Sequence, residues 1–400
     1  MKKFNKIAAL VLSLAMVGSL AACGGTATQP SKAPEASAPA ASAPAASTPV
    51  EPAGDYKVAM ITDYGDITDQ SFNQTTYEAC KAFCGDSIPF SYYKPAGDST
   101  AERVAMVDKA IADGFNVIVM PGYAFGETIT QTADVYPDVT FIALDVGEGD
   151  LGDYTLPANV YCAVYQEELC GYMAGYAAVK LGYRNLGFLG GMAVPAVMRY
   201  GYGYVQGVDA AAADMGLTDV KLNYIYGGQF FGDADITAVM DTWYAGGTEV
   251  VFACGGGIYT SAVDAAKKVG AKVIGVDVDQ AGVIASYAET EGMTVTSAMK
   301  GLYPATFDTL TDVCLNGNWA DYVGKIETLG LVSGDDPEAN YVQIPMGDGT
   351  QWADSFTQDD YKTMVKAMFD GTITVSNDIS KTAADYATVI TVDDQGAIKG

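Results

Sequence analysis

Acidic and aromatic side chains stand where apolar runs give way to polar turns. Asp63, Asp66 and Asp69 follow the run 58–61 at a spacing of three, and Phe72 and Asn73 come directly after. Asp145 and Asp277 close two further runs, FIALD and VIGVD, and Lys300 stands just beyond the strand pattern 294–298. Gly255, Gly256 and Gly257 break the run VVFAC. A carboxylate accepts more than one hydrogen bond, so such a set suits a ligand rich in hydroxyl groups. Bonds to an ionised acceptor are about twice as strong as neutral ones. The same carboxylates repel phosphate. An aromatic side chain grips a flat ring, and base stacking of this kind is worth about 1–3 kcal/mol. A lysine among these acids would neutralise one of them inside a closed cleft, where unpaired charge is costly. There is no histidine, which removes the commonest general base and the commonest zinc ligand.

Elements of an α/β protein must position these residues. Strand patterns at 58–61, 90–93, 117–120 and 140–144 alternate with helical patterns at 75–83, 100–113 and 126–136. A second series has strands at 186–189, 221–226, 250–253 and 272–276, with helices at 169–181, 200–215, 234–245 and 260–269. This order predicts parallel sheets covered on both faces, hence two doubly wound lobes. The lobes echo each other: VIVMPG, a helix and FIALD in one; VVFACGGG, a helix and VIGVD in the other. Ligands of such sheets bind at the carboxyl ends of the strands, which brings Asp63, Asp145 and Asp277 to one cleft. Ser71 and Gln74 have the spacing of a capping box, which puts Phe72 and Asn73 in a first helical turn. Phe72 lies near the edge of that helix's apolar stripe of Tyr77, Cys80, Phe83 and Cys84. A strand at 294–298, a helix at 302–315, a strand at 341–344 and a helix at 357–369 read as further crossings between lobes. The polar tail holds one apolar run, 386–392.

A chain of 400 residues suggests two to three domains. Its net charge of −27 argues against nucleic acid, which needs clustered cations, and against adsorption on anionic lipid. Lys2, Lys3 and Lys6 precede the apolar run 7–20, which is shorter than the roughly 20 residues of a membrane span and reads as an export signal. Residues 26–54 are mostly Ala, Pro and Ser and cannot form a core. They predict a disordered tether of roughly 30 Å mean span. Beyond Cys23 lie Cys80, Cys84, Cys162, Cys170, Cys254 and Cys314. An even number in an exported chain permits disulfides. We read them as buried free thiols, because the chain is long enough to fold without bridges and Cys162 and Cys254 sit in apolar runs. None of the spacings is a zinc pattern.

Together the segments TDYGDITDQSFNQ (62–74), NVIVMPGYAF (116–125), YPDVTFIALD (136–145), GFLGGMAVPAVMRYGYGYVQG (187–207) and GAKVIGVDVDQ (270–280) resemble the basic membrane protein, or PnrA-like, family of ABC-transporter substrate-binding lipoproteins. The resemblance runs from about Tyr56 to Leu315. It implies a type I periplasmic-binding-protein fold, purine nucleosides as ligands, no catalysis and no cofactor, and a permease and an ATPase as partners. Leu20-Ala21-Ala22-Cys23 resembles a lipobox, which implies lipidation of Cys23 and a monomer held on the extracytoplasmic face of the cell membrane. Carried over residue by residue, the resemblance implies that Asp63 hydrogen-bonds the base and Phe72 stacks on it. Phe230 or Phe231 of GQFFGD would be the second stacking residue. Asp145, Asp277 and Lys300 would contact the ribose and the cleft, Gly255 and Gly256 would allow close approach, and Asn73 would lie adjacent.

The expected division is a signal peptide over 1–22 and a tether over 23–54. A first lobe over 55–162 is rejoined by 290–320, and a second over 163–289 by 321–400, with hinge closure around the ligand. Other readings stand beside this one. The same fold could hold a sugar or another small polyol, since pyranose rings also stack on aromatics. The Asp63, Asp66 and Asp69 loop could open a calcium-dependent nucleoside hydrolase-like enzyme, although that family's adjacent aspartate pair is missing and calcium prefers six to eight oxygens. A tethered receptor without transport is a third.

Overall fold

The computed structural model describes residues 54–399. The export signal, Cys23 and the expected tether up to residue 53 lie outside the described residues. A first sheet is founded by β1 (Val58–Ile61), β2 (Phe90–Tyr93), β3 (Val117–Pro121), β4 (Thr140–Leu144) and β5 (Val160–Tyr165). A second is founded by β6 (Asn185–Gly190), β7 (Lys221–Tyr226), β8 (Val250–Cys254), β9 (Lys272–Asp277) and β10 (Thr294–Lys300). β11 (Lys325–Leu329) then returns beside β5, β12 (Val342–Gln343) pairs antiparallel with β10, and β13 (Thr391–Ala397) lies beside β7.

The orders are β11-β5-β4-β3-β1-β2 and β12-β10-β9-β8-β6-β7-β13. Each set of five founding strands therefore has the doubly wound order 2-1-3-4-5, with a switch point beside its first strand. The central strands VAMI, VIVMP and VVFAC are buried at every residue, as helices on both faces require. β13, TVDDQGA, is exposed along most of its length. Its two aspartates discourage another strand from adding to that edge.

The echo in the sequence is an echo in space. β3 and β4 hold the places in the first sheet that β8 and β9 hold in the second. Asp145 follows β4 with φ +60°, and Asp277 ends β9 with φ +64°. Left-handed backbone is costly for residues other than glycine, and aspartate is among the few that visit it. The register matches as well. Leu144 pairs with Ala163, which sets Asp145 opposite Val164 with Tyr165 next; Asp277 pairs with Met299, and Lys300 is next. Tyr165 and Lys300 are counterparts.

One expected boundary is corrected. Residues 294–300 do not return to the first lobe but supply the fifth strand that completes the second sheet. Their run TVTSA is fully buried, as an interior strand requires. The helix Leu302–Leu310 does pack on the first-lobe helix Phe72–Cys84. Within 321–400, β11 belongs to the first sheet, while β12 and β13 belong to the second. The chain thus crosses after Tyr165, after Lys300 and between β11 and β12. Backbone bonds knit the crossings: Gln166 N to Leu329 O at 3.0 Å, Tyr341 N to Gly330 O at 3.0 Å, and Gly301 N to Tyr341 O at 2.6 Å.

Below the crossings the helices Glu167–Lys180 and Pro195–Asp214 touch backbone to backbone. A Cβ at Gly171 or Gly175 would stand 2.2 or 2.4 Å from the carbonyl oxygen of Tyr200 or Tyr204. At Gly203 or Gly207 it would stand 2.1 Å from that of Glu168 or Tyr172. Glycines four residues apart on each helix make the close pairing possible, and the pairing sets Glu167 and Glu168 beside Arg199 and Tyr200.

Candidate functional site

A cavity of about 400 Å³ lies between the carboxyl ends of the two sheets. Its wall includes Asp63, Phe72, Asn73, Asp145, Phe230, Phe231, Gly255, Gly256, Asp277 and Lys300, so every site residue expected from the described sequence reaches one place. Tyr64, Tyr123, Val197, Tyr200 and Cys254 join them.

The first-lobe corner is fixed by its own backbone. Asp63 Oδ1 accepts from the N–H groups of Tyr64 and Gly65, both at 2.7 Å, and from Asn73 Nδ2 at 3.3 Å. Oδ2 takes no donor from the described residues. Burial raises this carboxyl above its ordinary range, and the two backbone donors partly restore it. The expected capping box is replaced. Asp69 caps the helix Phe72–Cys84, accepting from the N–H groups of Ser71, Asn73 and Gln74 at 2.9, 2.9 and 3.1 Å. An ionised carboxylate outcompetes a hydroxyl for these donors. The freed Ser71 hydroxyl donates across the cleft to Asp277 Oδ2 at 2.6 Å. Asp66 turns outward to Lys94 at 2.9 Å. Asp63 and Asp69 share the Asn73 Nδ2 donor, at 3.3 and 3.1 Å, while Asp66 stands apart, and among the described residues no cluster of three acidic or thiol groups could hold a metal ion.

In the second lobe the glycines seat an aromatic. A Cβ at Gly191 or Gly255 would stand 2.4 or 2.8 Å from Cδ1 of Phe230, and one at Gly256 3.0 Å from the Phe230 carbonyl oxygen. The close approach expected of Gly255 and Gly256 is therefore to the Phe230 ring and backbone. Phe230 is half-buried in this slot, whereas Phe231 is 54% exposed at the rim.

Between the lobes lies a buried charge cluster. Lys300 Nζ is 2.5 Å from Asp145 Oδ2, 3.5 Å from Glu167 Oε1 and 3.9 Å from Asp277 Oδ1. It also lies 4.7 Å from the centre of the Phe72 ring and 5.3 Å from that of Tyr165. Burial alone would lower the Lys300 ammonium, but Asp145, Asp277 and Glu167 together hold it above its ordinary range. Arg199 Nε meets Glu167 Oε2 at 2.6 Å, and the Tyr200 hydroxyl donates to Asp277 Oδ1 at 3.2 Å. Burial pushes Asp277 up, against the pull of Lys300 and Ser71. Burial and the neighbouring Glu167 raise Glu168 to about 7, and its Oε2 has no partner among the described residues. The thiol on the cavity wall, Cys254, is held protonated by burial, and the six cysteines among the described residues are free and buried.

Sequence reasoning missed Ser71, Glu167, Glu168, Arg199 and Tyr200. A signal was present for the charged ones. Two adjacent acids open the otherwise apolar EELCGYMAGYAAVK, and one arginine stands in PAVMRYGYGYVQG.

A model of the family described as ABC transporter substrate-binding protein PnrA-like matches residues 56–334. The chain belongs to this family. It is 27% identical over 240 residues to the ABC transporter nucleoside-binding protein BmpA of Lactococcus lactis, a match covering 56% of this chain and 65% of that protein. It is 27% identical over 286 residues to Basic membrane protein B of Borreliella burgdorferi, covering 70% and 79%. An ABC transporter solute-binding protein from Aeropyrum pernix superposes with a TM-score of 0.62 at 20% identity, covering 83% of this chain and 90% of that one, and shares the fold. The two doubly wound lobes are thus the periplasmic-binding-protein architecture that the sequence led us to expect. Among the described residues no helix is long and apolar enough to cross a membrane.

Proposed function

We propose that this chain is the ligand receptor of an ABC importer, anchored through Cys23 to the outer face of the cell membrane, and that its cavity takes a purine nucleoside. One observation carries the ligand class: each lobe offers an aromatic, Phe72 and Phe230, to a cavity whose other polar walls are chiefly carboxylates. A base lies between the aromatics and donates to the spare oxygen of Asp63. The ribose hydroxyls lie toward Asp145, Asp277 and Lys300. A phosphorylated ligand would bring its charge against those acids. The printed description of BmpA as nucleoside-binding supports the same class. The receptor acts as a monomer and passes its ligand to a permease driven by an ATPase.

The test is thermal unfolding of the chain from Asp55 onward against nucleosides, free bases, nucleotides and sugars. Ligand at about 100 times its dissociation constant stabilises the fold by about 2.7 kcal/mol. A shift with adenosine, guanosine or inosine and none with their phosphates is expected. A shift with sugars alone would transfer the cavity to a polyol, and release of free base with calcium would make the protein an enzyme. Mass spectrometry of the membrane fraction tests the anchor: a diacylated Cys23 at the mature amino terminus is expected, and an unmodified Cys23 would remove it.

A further inference from the structure

The segment after the family-matched region 56–334 wraps the second lobe and ends against the loop that carries Phe230 and Phe231. Gln206 on the helix Pro195–Asp214 accepts from Ser376 N at 2.8 Å, and Asp209 on the same helix accepts from the N–H groups of Thr388 and Val389, both at 2.8 Å. β13 then runs beside β7, and Ile398 N donates to Tyr226 O at 2.8 Å. The next residue, Lys399, reaches both ends of the aromatic loop. Its ammonium donates to Gln229 Oε1 at 3.0 Å and to Asp233 Oδ2. Gln229 Nε2 closes the clasp by donating to Phe231 O and to Asp233 Oδ2, each at 2.9 Å. Asp233 also caps the following helix through its other oxygen, accepting from Ile236 N at 3.0 Å. Gly228, at φ +82°, lies directly under Lys399: a Cβ there would stand 2.7 Å from the lysine's Cβ and carbonyl oxygen. On its inner side the loop is held by Gly257 N to Phe230 O at 2.9 Å.

We infer that Lys399 is a positioning residue for ligand binding, holding the Phe230–Phe231 loop through Gln229 and Asp233, so that a segment outside the family-matched region shapes one wall of the cavity. The inference rests on the proposed ligand site, with the clasp acting through Phe230. The cap on the helix Ala234–Ala245 uses the other oxygen of Asp233 and survives without the lysine. Loss of the clasp therefore loosens the loop more than the fold.

The experiment compares Lys399→Met, Lys399→Arg and the parent by hydrogen exchange without ligand and by titration with the nucleoside that stabilises the parent best. Lys399→Met should speed exchange across residues 228–233. It should weaken nucleoside binding about three- to fivefold, in line with a partly exposed pair, and Lys399→Arg should recover most of both. In a Phe230→Ala background Lys399→Met should cost no further affinity, because the clasp acts through that ring. Unchanged exchange, or an equal loss of affinity in the Phe230→Ala background, overturns the inference. If the parent binds no nucleoside, the ligand proposal fails, and the exchange comparison still decides whether the clasp holds the loop.

Discussion

Phe72 serves the cavity in two ways: its ring lines the wall and lies 4.7 Å from the Lys300 ammonium. Replacing it with alanine should raise the nucleoside dissociation constant by about one to two orders of magnitude, from a stacking loss of about 1–3 kcal/mol, while tyrosine should keep most of the affinity. Calorimetric titration reads this directly, and wild-type affinity in the alanine variant would place the base elsewhere. Glu168 makes a separate prediction for stability. Its folded value of about 7 lies above the ordinary 4.5, so the folded form keeps a proton that the unfolded chain has released. The contribution is whole below about pH 4.5 and declines by roughly 3 kcal/mol as pH rises to about 7. Glu168→Gln, which keeps the volume, should therefore gain melting temperature on the parent between about pH 5 and pH 8; parallel curves would exclude Glu168. At this scale the placement of Asp63, Asp145 and Asp277 on one cavity wall was legible, because each follows an apolar strand run whose carboxyl end faces the cleft. Ser71 was not. Its local spacing fits a cap, and only the fold reveals that Asp69 takes the backbone donors and that Asp277 waits 2.6 Å away.

The two helices with paired glycines decide where several of those residues stand. A side chain at Gly203 would meet the Glu168 backbone, which cannot swing aside as a side chain can. Gly203→Leu should lower stability by about 3 kcal/mol or more, with a matching fall in the denaturant midpoint. Gly149→Ala, where a Cβ meets nothing within 4 Å, should be nearly neutral. Equal midpoints for the two variants would mean that the helices part without cost. One helix start was easy to read: Asp233 accepts from Ile236 N, and the helix begins at Ala234 as expected. The helix expected over 302–315 is α-helical only to Leu310 and continues as a π-helix over Thr311–Leu315. An apolar pattern does not distinguish the two over so short a stretch. The paired glycines also escaped the sequence reading, since a glycine in a helix signals either tolerance or contact until its neighbour is known.

Across the whole molecule the lobes are bridged by the chain's own polar groups. Ser71 reaches Asp277, Lys300 reaches Asp145, and Gln280 Nε2 donates to Gln70 O at 3.2 Å. On the proposed function, a ligand would need to supply only the remaining preference for closure. Ser71→Ala removes a hydrogen bond to a charged group, worth about 1.5–3 kcal/mol. Small-angle scattering should show a larger unliganded radius of gyration for this variant and the parent's value once ligand is saturating. The same radius without ligand would show that this bond does not hold the lobes. The lobes themselves were legible from alternating strands and helices, but the assignment of 294–300 was not, because a fifth strand reads alike in either sheet. The matched register of the two sheets has one more consequence. Two equal half-sites facing each other would receive a molecule either way round, its two binding directions related by a half-turn and nearly degenerate. Such a degeneracy would be lifted in part where the counterparts Tyr165 and Lys300 meet, a phenol from one half and an ammonium from the other. Asp63 of the first lobe and its uncharged counterpart Gly191 in the second are another such pair, so on the proposed function head and tail of a bound molecule would be told apart wherever the duplicated plan differs in charge.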